Sequence, residues 1–487
     1  MRKYLIGQTS KRSLLHDLIS WRQPIMYALL LCICVSGCGQ DDSSEPMEES
    51  NQSLKYDFES RFGEGSSVSY SGQTARHALI YELKQYMSSL ESKVSTQGIF
   101  EEGALVSIFD VFFDCTDEVC SGEELTLKTS IDLKQKNIGE ISSGKNLVGK
   151  LAGNDPIGQH KDWTMEFMGW GDTHSPESLI RAWFKDIEDQ AITLSNGEVI
   201  MAMNGEVITR PDLSPNGLDY TQLINKLLLG AVTFSQGVDD YLDDSEMGKG
   251  LLSNHSIAVE GELYSELEHS WDEAFGYFGA ARDYLDYSDD ELSSEGGRDD
   301  YQGSHDSDSD GKIDLVSEYS WGHSVNAAKR DRGHDINLTR DAYHAFYKGR
   351  ELIGSIDREL NEGELDTLKT YRDQAVEAWE KAISSTVIHY MNETIVDMKT
   401  ALETPDQYEF SDHAKHWSEM KGFALSLQFN PRSPLNAEDF RVLHEAIGIA
   451  PCLPGDDQFE ANLDALVVAR DQLGVIYGFS IEDTESW

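Results

Sequence analysis

Acidic side chains alternate with small polar residues in one short stretch of this sequence, HDSDSDGKIDLVSE, which spans residues 305–318. Counted from Asp306, carboxylates fall at positions 1, 3, 5 and 9, glycine stands at position 6, and the residue at position 7 can offer its backbone carbonyl. This is the order of ligands in an EF-hand calcium loop. The predicted calcium ligands are Asp306, Asp308, Asp310, Lys312, Asp314 and Glu318.

The end of this loop departs from the EF-hand pattern. Ser317 occupies position 12, where a bidentate acid is expected, and Glu318 follows one residue late. No helix is predicted to lead directly into the loop, and one is predicted after it, over residues 314–330. We therefore expect a half-site in which calcium holds a long acidic loop together. The alternative is a solvated acidic loop that binds no metal.

A second group of side chains has the chemistry of a transition-metal site. On a helix, His413, His416 and Glu419 step back by about 60° each time, so two imidazoles and a carboxylate share one face. Imidazoles suit iron or zinc, whereas carboxylates favour harder ions. The spacing is not that of an HExxH zinc peptidase. The alternative is that both histidines cap or pack inside a helical bundle.

A third group provides a second choice of metal ligands on another predicted helix. Glu268 and Asp272 are four residues apart, as are His269 and Glu273, so each pair lies on one side of the helix. Carboxylate and histidine side chains of this kind supply ligands to the core of di-iron bundles. The structural alternative is favoured here, because Trp271 marks the buried face and places these polar groups at its margin.

The amino terminus predicts export and lipid attachment. Residues 1–37 carry five basic side chains and one acidic one, and the apolar run 25–35 is too short to cross a bilayer of about 30 Å. The run ends in Val-Ser-Gly before Cys38, which resembles the bacterial lipobox. We expect cleavage before Cys38 and its lipidation, followed by a disordered tether over 38–55. In bacterial lipoproteins, aspartate directly after the lipidated cysteine favours retention in the inner membrane. Because Gly39 stands at that position, the resemblance implies an outer-membrane lipoprotein, periplasmic or surface-facing.

The composition limits the partners of this chain. Its 487 residues carry a net charge of −47, which argues against nucleic acid, whose phosphates need basic partners. The acidity indicates either a surface adapted to salty water or cation binding. Outside the cytoplasm, Cys115 and Cys120 are predicted to form a disulfide, and Cys452 a buried thiol.

Helical periodicity dominates the rest of the chain and predicts a mainly α fold. Residues 56–216 form a smaller mixed α/β region, with strands or irregular chain over 103–153 and a hairpin around Asn204-Gly205. Residues 217–487 form the helical-bundle region. Helices are predicted at 74–94, 175–192, 218–243, 262–286, 314–330, 338–361, 363–404, 410–428, 436–448 and 457–475.

Several longer motifs resemble an uncharacterised family of bacterial lipoproteins known only as a domain of unknown function. They include SSVSYSGQTARHALIYELKQY, GLDYTQLINKLLLGAV, EHSWDEAFGYFGA, SDSDGKIDLVSEYSWGHSVNAAKRDRG and DAYHAFYKGRELI. This family is similar in helical character to imelysin-like proteins, which are iron-regulated envelope proteins with the signature GxHxxE. The matching residues here are His416 and Glu419, with Ala414 in place of the glycine.

The resemblance and the candidate ligands together imply a binding function. We expect a membrane-anchored envelope lipoprotein that binds metal and assists the acquisition of iron or other cations, with calcium as a structural ion and iron or zinc as the functional one. Its partners would be the lipid bilayer and an outer-membrane receptor or other envelope proteins. One alternative is a scaffold lipoprotein without a functional transition metal. Another is an imelysin-like metallopeptidase, although no general base is identifiable.

Overall fold

The structure is a computed structural model that describes residues 54–487 except 97, 99, 116–117, 156–158, 172–174 and 295–304. The predicted signal peptide, Cys38 and most of the predicted tether lie outside the described residues. Leu54 already belongs to the folded unit, since its carbonyl accepts a hydrogen bond from the Tyr343 hydroxyl at 3.0 Å. The folded unit therefore begins slightly before the predicted boundary at 55.

The described residues are mainly helical, as predicted, with one two-stranded sheet. The helices are α1 (Ser71–Ser88), α2 (Leu90–Thr96), α3 (Ala104–Phe113), α4 (Glu118–Gly122), α5 (Ile138–Ile141), α6 (Pro176–Ser195), α7 (Tyr220–Leu228), α8 (Glu266–Phe278), α9 (Asp289–Ser293), α10 (Gly322–Asp331), α11 (Leu338–Gly354), α12 (Glu362–Glu403), α13 (Phe410–Ser426), α14 (Ala437–Ile447), α15 (Phe459–Tyr477) and α16 (Ile481–Ser486). Two π-helical segments, Leu229–Phe234 and Gly237–Tyr241, follow α7.

Side-chain caps fix where several helices begin. The Ser175 side chain accepts a hydrogen bond from the backbone N–H of Ser178, and Pro176 occupies the first helical position of α6. Asn361 and Glu364 form a capping box at the start of α12, which then runs for 42 residues. These local signals are present in the sequence, so the starts of both helices could be predicted closely.

The long helix α12 organises the core. It packs against α10, α11, α13 and α15, and its central turns are buried on most sides. Large aromatic side chains fill the space around α8: the fully buried Trp379 of α12 packs against Phe278, and the fully buried Trp271 packs against Phe346 of α11. Because α1 also packs against α7 and α8, the predicted regions 56–216 and 217–487 share one compact unit, residues 53–487.

The hairpin after α6 is confirmed. Its strands β1 (Ile200–Met201) and β2 (Val207–Ile208) are antiparallel, with Ile200 opposite Ile208. Gly205 adopts φ 91°, the left-handed conformation that makes Asn-Gly a turn sequence. Among the described residues, no helix is long and apolar enough to cross a membrane.

Two predicted elements are wrong. Residues 104–113 form helix α3 rather than strand or irregular chain, because Leu105, Phe109 and Phe113 recur at helical spacing and are buried. The helix predicted to follow the acidic loop at 314 begins only at Gly322. Residues 314–318 instead form a turn, in which the Glu318 N–H bonds the Asp314 carbonyl at 2.8 Å.

The structure joins Cys115 and Cys120 by a disulfide, with Cα atoms 5.1 Å apart. This bridge links the end of α3 to α4, across a short connection. Cys452 is a half-buried free thiol, whereas the sequence predicts a buried one.

A buried lysine on α13 predicts a pH-dependent stability. Lys421 is fully buried, and desolvation lowers its pKa from 10.5 to about 7. The unfolded chain therefore holds this proton more tightly between those pH values, so stability rises with pH there. We expect wild-type protein to gain on the order of 2 kcal/mol from this group between pH 7 and pH 9 in urea unfolding. Lys421→Met should lose that gain. If its free energy of unfolding rises with pH as steeply as that of wild-type protein, Lys421 is not the group that titrates.

Candidate functional site

Three carboxylates of the predicted calcium loop come together in the structure. The ligand oxygens of Asp306, Asp308 and Glu318 lie within 4.8 Å of one another, and this is the only such group of acids, histidines and cysteines among the described residues. Glu318 is almost completely buried, whereas the two aspartates are more exposed. A hard divalent cation between them would offset two of the three negative charges.

Backbone N–H groups shape the loop around these carboxylates. The Asp306 carboxylate accepts hydrogen bonds from the N–H groups of Asp310 at 3.1 Å and Gly311 at 2.8 Å. Gly311 has φ 83° and Ser309 has φ 61°, so the chain turns sharply at both positions. The glycine that the EF-hand pattern requires at position 6 therefore has the conformation that explains it.

The late position of Glu318 is accommodated by the turn that precedes it. One Glu318 oxygen accepts hydrogen bonds from the N–H of Ser307 at 2.8 Å and of Asp308 at 3.3 Å. The other oxygen accepts from the Asp314 N–H at 2.8 Å. Because residues 314–317 form a turn instead of a helix, the carboxylate reaches back to the start of the loop. Glu318 thus lies beside Asp306 and Asp308, although it follows position 12 of the EF-hand pattern by one residue.

The other predicted calcium ligands lie at the edge of this group. Lys134 pairs with Asp314 at 3.2 Å and more loosely with Asp310 at 3.9 Å. Burial alone would raise the pKa of Asp314, but hydrogen bonds from the Val316 N–H, Gln135 and Lys134 hold it below its usual value. The Lys312 N–H donates to Asp310 at 2.9 Å. The structure therefore separates a central group of three acids from two acids that a lysine neutralises.

The acidic loop is attached to distant parts of the chain. Ile313, at position 8, is fully buried and forms a parallel bridge with Leu133. The Arg282 N–H donates to the Ser317 carbonyl at 2.8 Å, and the Tyr287 hydroxyl donates to the Glu318 carbonyl at 2.7 Å. A cation bound here would therefore stabilise contacts between the loop, the 132–134 segment and the chain after α8.

The first predicted transition-metal group does not converge in the structure. His413 is fully buried, and desolvation lowers its pKa to about 4. His416 instead bonds Asp397 at 2.8 Å. Burial alone would lower the pKa of His416, but Asp397 and then Glu393 raise it above its usual value. Glu419 pairs with Lys226 and Tyr390, at 3.3 and 3.1 Å.

The second predicted metal group forms a buried ion network. Arg350 is fully buried, and its guanidinium lies 2.9 Å from Asp272 and 3.4 Å from Glu268. Glu268 also forms a capping box at the start of α8, and His269 lies 3.6 Å from Glu273. The carboxylates of Glu268 and Asp272 therefore neutralise an arginine and hold elements together, which agrees with the structural alternative.

A cleft with a surplus of positive charge lies next to α13, the helix that carries the first predicted transition-metal group. This cleft was not predicted from the sequence. Its volume is about 960 Å³. Lysine and arginine are 40 of the 487 residues in the chain, but they are six of the fifteen residues that line this cleft, against three acids. We call it the basic cleft, defined by Lys84, Lys226, Lys329, Arg330, Arg332 and Lys415.

The basic cleft is built from separate segments of the chain. Its lining comes from α1, α7, α10, α12 and α13, together with residues 290–294 and Arg332, which follows α10. His416 and Glu419 belong to it, whereas His413 does not. The sequence could not show the cleft, because its cations are up to about 330 positions apart and no local spacing connects them.

Residues 177–442 match the family described as a domain of unknown function, DUF4856. This span is more than half of the chain. The chain belongs to the DUF4856 family. The predicted resemblance to an uncharacterised family is thereby confirmed. No curated protein and no solved structure matches the chain. The acidic loop and every residue lining the basic cleft except Lys84 lie inside the matched span. Both features therefore lie in the part of the chain that matches the family.

Proposed function

We propose that this chain is an envelope lipoprotein that binds one calcium ion in the acidic loop and acts by binding rather than by catalysis. The observation that carries the calcium site is the convergence of Asp306, Asp308 and Glu318 within 4.8 Å. Three carboxylates this close repel one another unless a cation lies between them. Lys134 pairs with Asp310 and Asp314 instead, and Lys55 donates to the Ser307 hydroxyl at 2.9 Å.

The ion in this proposal is structural. The loop connects the Leu133 bridge with the chain after α8, as described above, and the bound cation would remove the repulsion that opposes that arrangement. A ligand that binds only the folded state stabilises it by RT ln(1 + [L]/Kd), or about 2.7 kcal/mol at one hundred times Kd. Calcium should therefore raise the melting temperature of the protein, and a chelator should reverse the effect.

Titration calorimetry on residues 54–487, produced without the predicted signal peptide and tether, tests the calcium site. We expect one calcium ion per chain for wild-type protein. Glu318→Gln should abolish or severely weaken binding, because it removes the buried, bidentate acid. Asp464→Asn, an exposed acid on α15 with the same change of charge, serves as the matched control and should bind as wild type does. Equal binding by Glu318→Gln and wild type would reject the proposed site.

Membrane attachment rests on the amino-terminal sequence alone. We expect Cys38→Ala to shift the protein from the membrane fraction to the soluble fraction, since the lipid can no longer be attached. Membrane fractionation with metabolic fatty-acid labelling measures both effects, and Cys452→Ala is the control. Unchanged labelling of the Cys38→Ala protein would contradict the lipoprotein prediction.

The wider roles predicted from sequence stay predictions. Assistance in iron or zinc acquisition needs ligands that meet, and the His413, His416 and Glu419 ligand atoms are not within 4.8 Å of one another in the described structure. The metallopeptidase alternative needs the same centre together with a base. A scaffold role beside an outer-membrane receptor requires no transition metal and is compatible with the calcium proposal.

A further inference from the structure

The basic cleft has a local charge opposite to that of the chain as a whole. Lys415 and Arg332 are exposed at its edge, whereas Lys226 and Arg330 are buried in its wall. Exposed charges more than about 8 Å away are largely screened at physiological ionic strength. The chain's net charge of −47 therefore acts only weakly inside the cleft, where the nearby cations decide which ligands are attracted.

Buried polar atoms in the lining add a second, independent indication of a ligand. Glu419 is 4% exposed and Ser293 is 3% exposed. The second carboxylate oxygen of Glu419 and the hydroxyl of Ser293 have no hydrogen-bond partner among the described residues. Buried polar groups are rarely left unpaired, because each costs about 1–3 kcal/mol. The carboxylate oxygen can only accept a hydrogen bond, so a ligand in the cleft would have to supply the donor.

A neutral histidine contributes a further polar group to the same wall. Desolvation, followed by the charges of Arg330 and Lys329, lowers the pKa of His389 to about 3, so its ring is uncharged at neutral pH. Its Nδ1 atom is buried and has no hydrogen-bond partner among the described residues. The cleft thus combines cations, which attract an anionic group, with polar atoms that need hydrogen-bonding partners.

We propose that the basic cleft binds a small hydroxylated organic anion, a sugar or sugar-like molecule that carries a phosphate or carboxylate group. The anionic group lies against the lysines and arginines. On binding, the Glu419, Ser293 and His389 side chains turn toward the cleft, so that their buried, unpaired atoms meet hydroxyls of the ligand. The volume of about 960 Å³ is at the upper end of the range for small-molecule sites and has room for such a ligand.

Calorimetric titration with three related sugars tests this proposal, with calcium kept saturating. The probes are glucose 6-phosphate, glucuronate and uncharged glucose. We expect one or both anions to bind and glucose to bind at least about tenfold more weakly, since charge-assisted hydrogen bonds are worth about 1.5–3 kcal/mol each. Tighter binding of the first probe identifies phosphate as the preferred group, and tighter binding of the second identifies carboxylate.

Paired variants locate the binding. The double variant Arg332→Gln with Lys415→Gln changes two exposed cations of the cleft, so folding should be preserved, and a melting curve verifies this. It should weaken anion binding at least about tenfold. Lys399→Gln, an exposed lysine on α12 outside the cleft, should have no effect. The proposal is overturned if neither anion binds, if glucose binds equally well, or if the double variant binds like wild type.

Discussion

Arg350→Met is expected to destabilise the protein by about 3–5 kcal/mol, the range found when one partner of a buried ion pair is removed. Arg350 is fully buried and lies between Glu268 and Asp272, and it also donates to the Ser67 hydroxyl at 2.6 Å. Methionine fills much of the same space but leaves two acids without their cation. Urea unfolding monitored by circular dichroism measures the loss.

Further variants distinguish the two causes of this loss of stability, the unpaired buried charges and the lost packing around Arg350. Burial already raises the pKa of Asp272, and Arg350 is the largest influence acting against it. Replacing Arg350, Glu268 and Asp272 together by apolar residues should recover much of the stability, because no unpaired charge remains. Arg441→Met, which removes an exposed arginine paired with Glu438, should leave the free energy of unfolding nearly unchanged, because solvent screens exposed ion pairs. If Arg350→Met costs as little as Arg441→Met, the network is not structural.

Gly349→Ala is expected to be the most damaging small substitution on α11. A methyl group at this position would lie 1.9 Å from a ring carbon of Trp271. Trp271 cannot move away easily, since it is fully buried and its indole N–H donates to the Phe346 carbonyl at 2.8 Å. Overpacking of this kind typically costs about 1–3 kcal/mol, and sometimes more.

Gly349→Ala is a sharp test because helix propensity and packing predict opposite changes in the free energy of unfolding. In a helix without neighbours, alanine is favoured over glycine by about 1 kcal/mol, so the backbone alone predicts stabilisation by Gly349→Ala. Gly363→Ala, near the start of α12, is the matched control, because the new methyl group would meet only Asn361 at 3.5 Å. We expect Gly363→Ala to be neutral or stabilising in the same unfolding experiment. Stabilisation by Gly349→Ala would show that α8 and α11 are not packed this closely.

Local signals explain what the sequence could predict of the fold. The caps at Ser175 and Asn361, the Asn-Gly hairpin and the absence of proline in α12 are all readable without knowledge of distant residues. Helix α3 was missed because its run of apolar and β-branched residues, ALVSIFDVFF, has strong strand propensity. Its helical spacing becomes decisive only when it packs against α6.

Distant residues explain what the sequence could not predict of the sites. The alternating acids of the loop are contiguous, so they could be identified as a group, but the turn that returns Glu318 to Asp306 could not. His416 and Glu419 do share one side of α13, yet their partners Asp397 and Lys226 come from α12 and α7. Because of these partners, the side of α13 that was predicted to bind a metal forms ion pairs and lines the basic cleft.

Anomalous diffraction from crystals grown with calcium tests the calcium site in the acidic loop, since it locates the ion itself. We expect one peak at the acidic loop, about 2.3–2.6 Å from carboxylate oxygens of Asp306, Asp308 and Glu318. Crystals of the Glu318→Gln protein should lack that peak. A loop without a peak in wild-type crystals at saturating calcium, or a peak bound only by other residues, would contradict the calcium site.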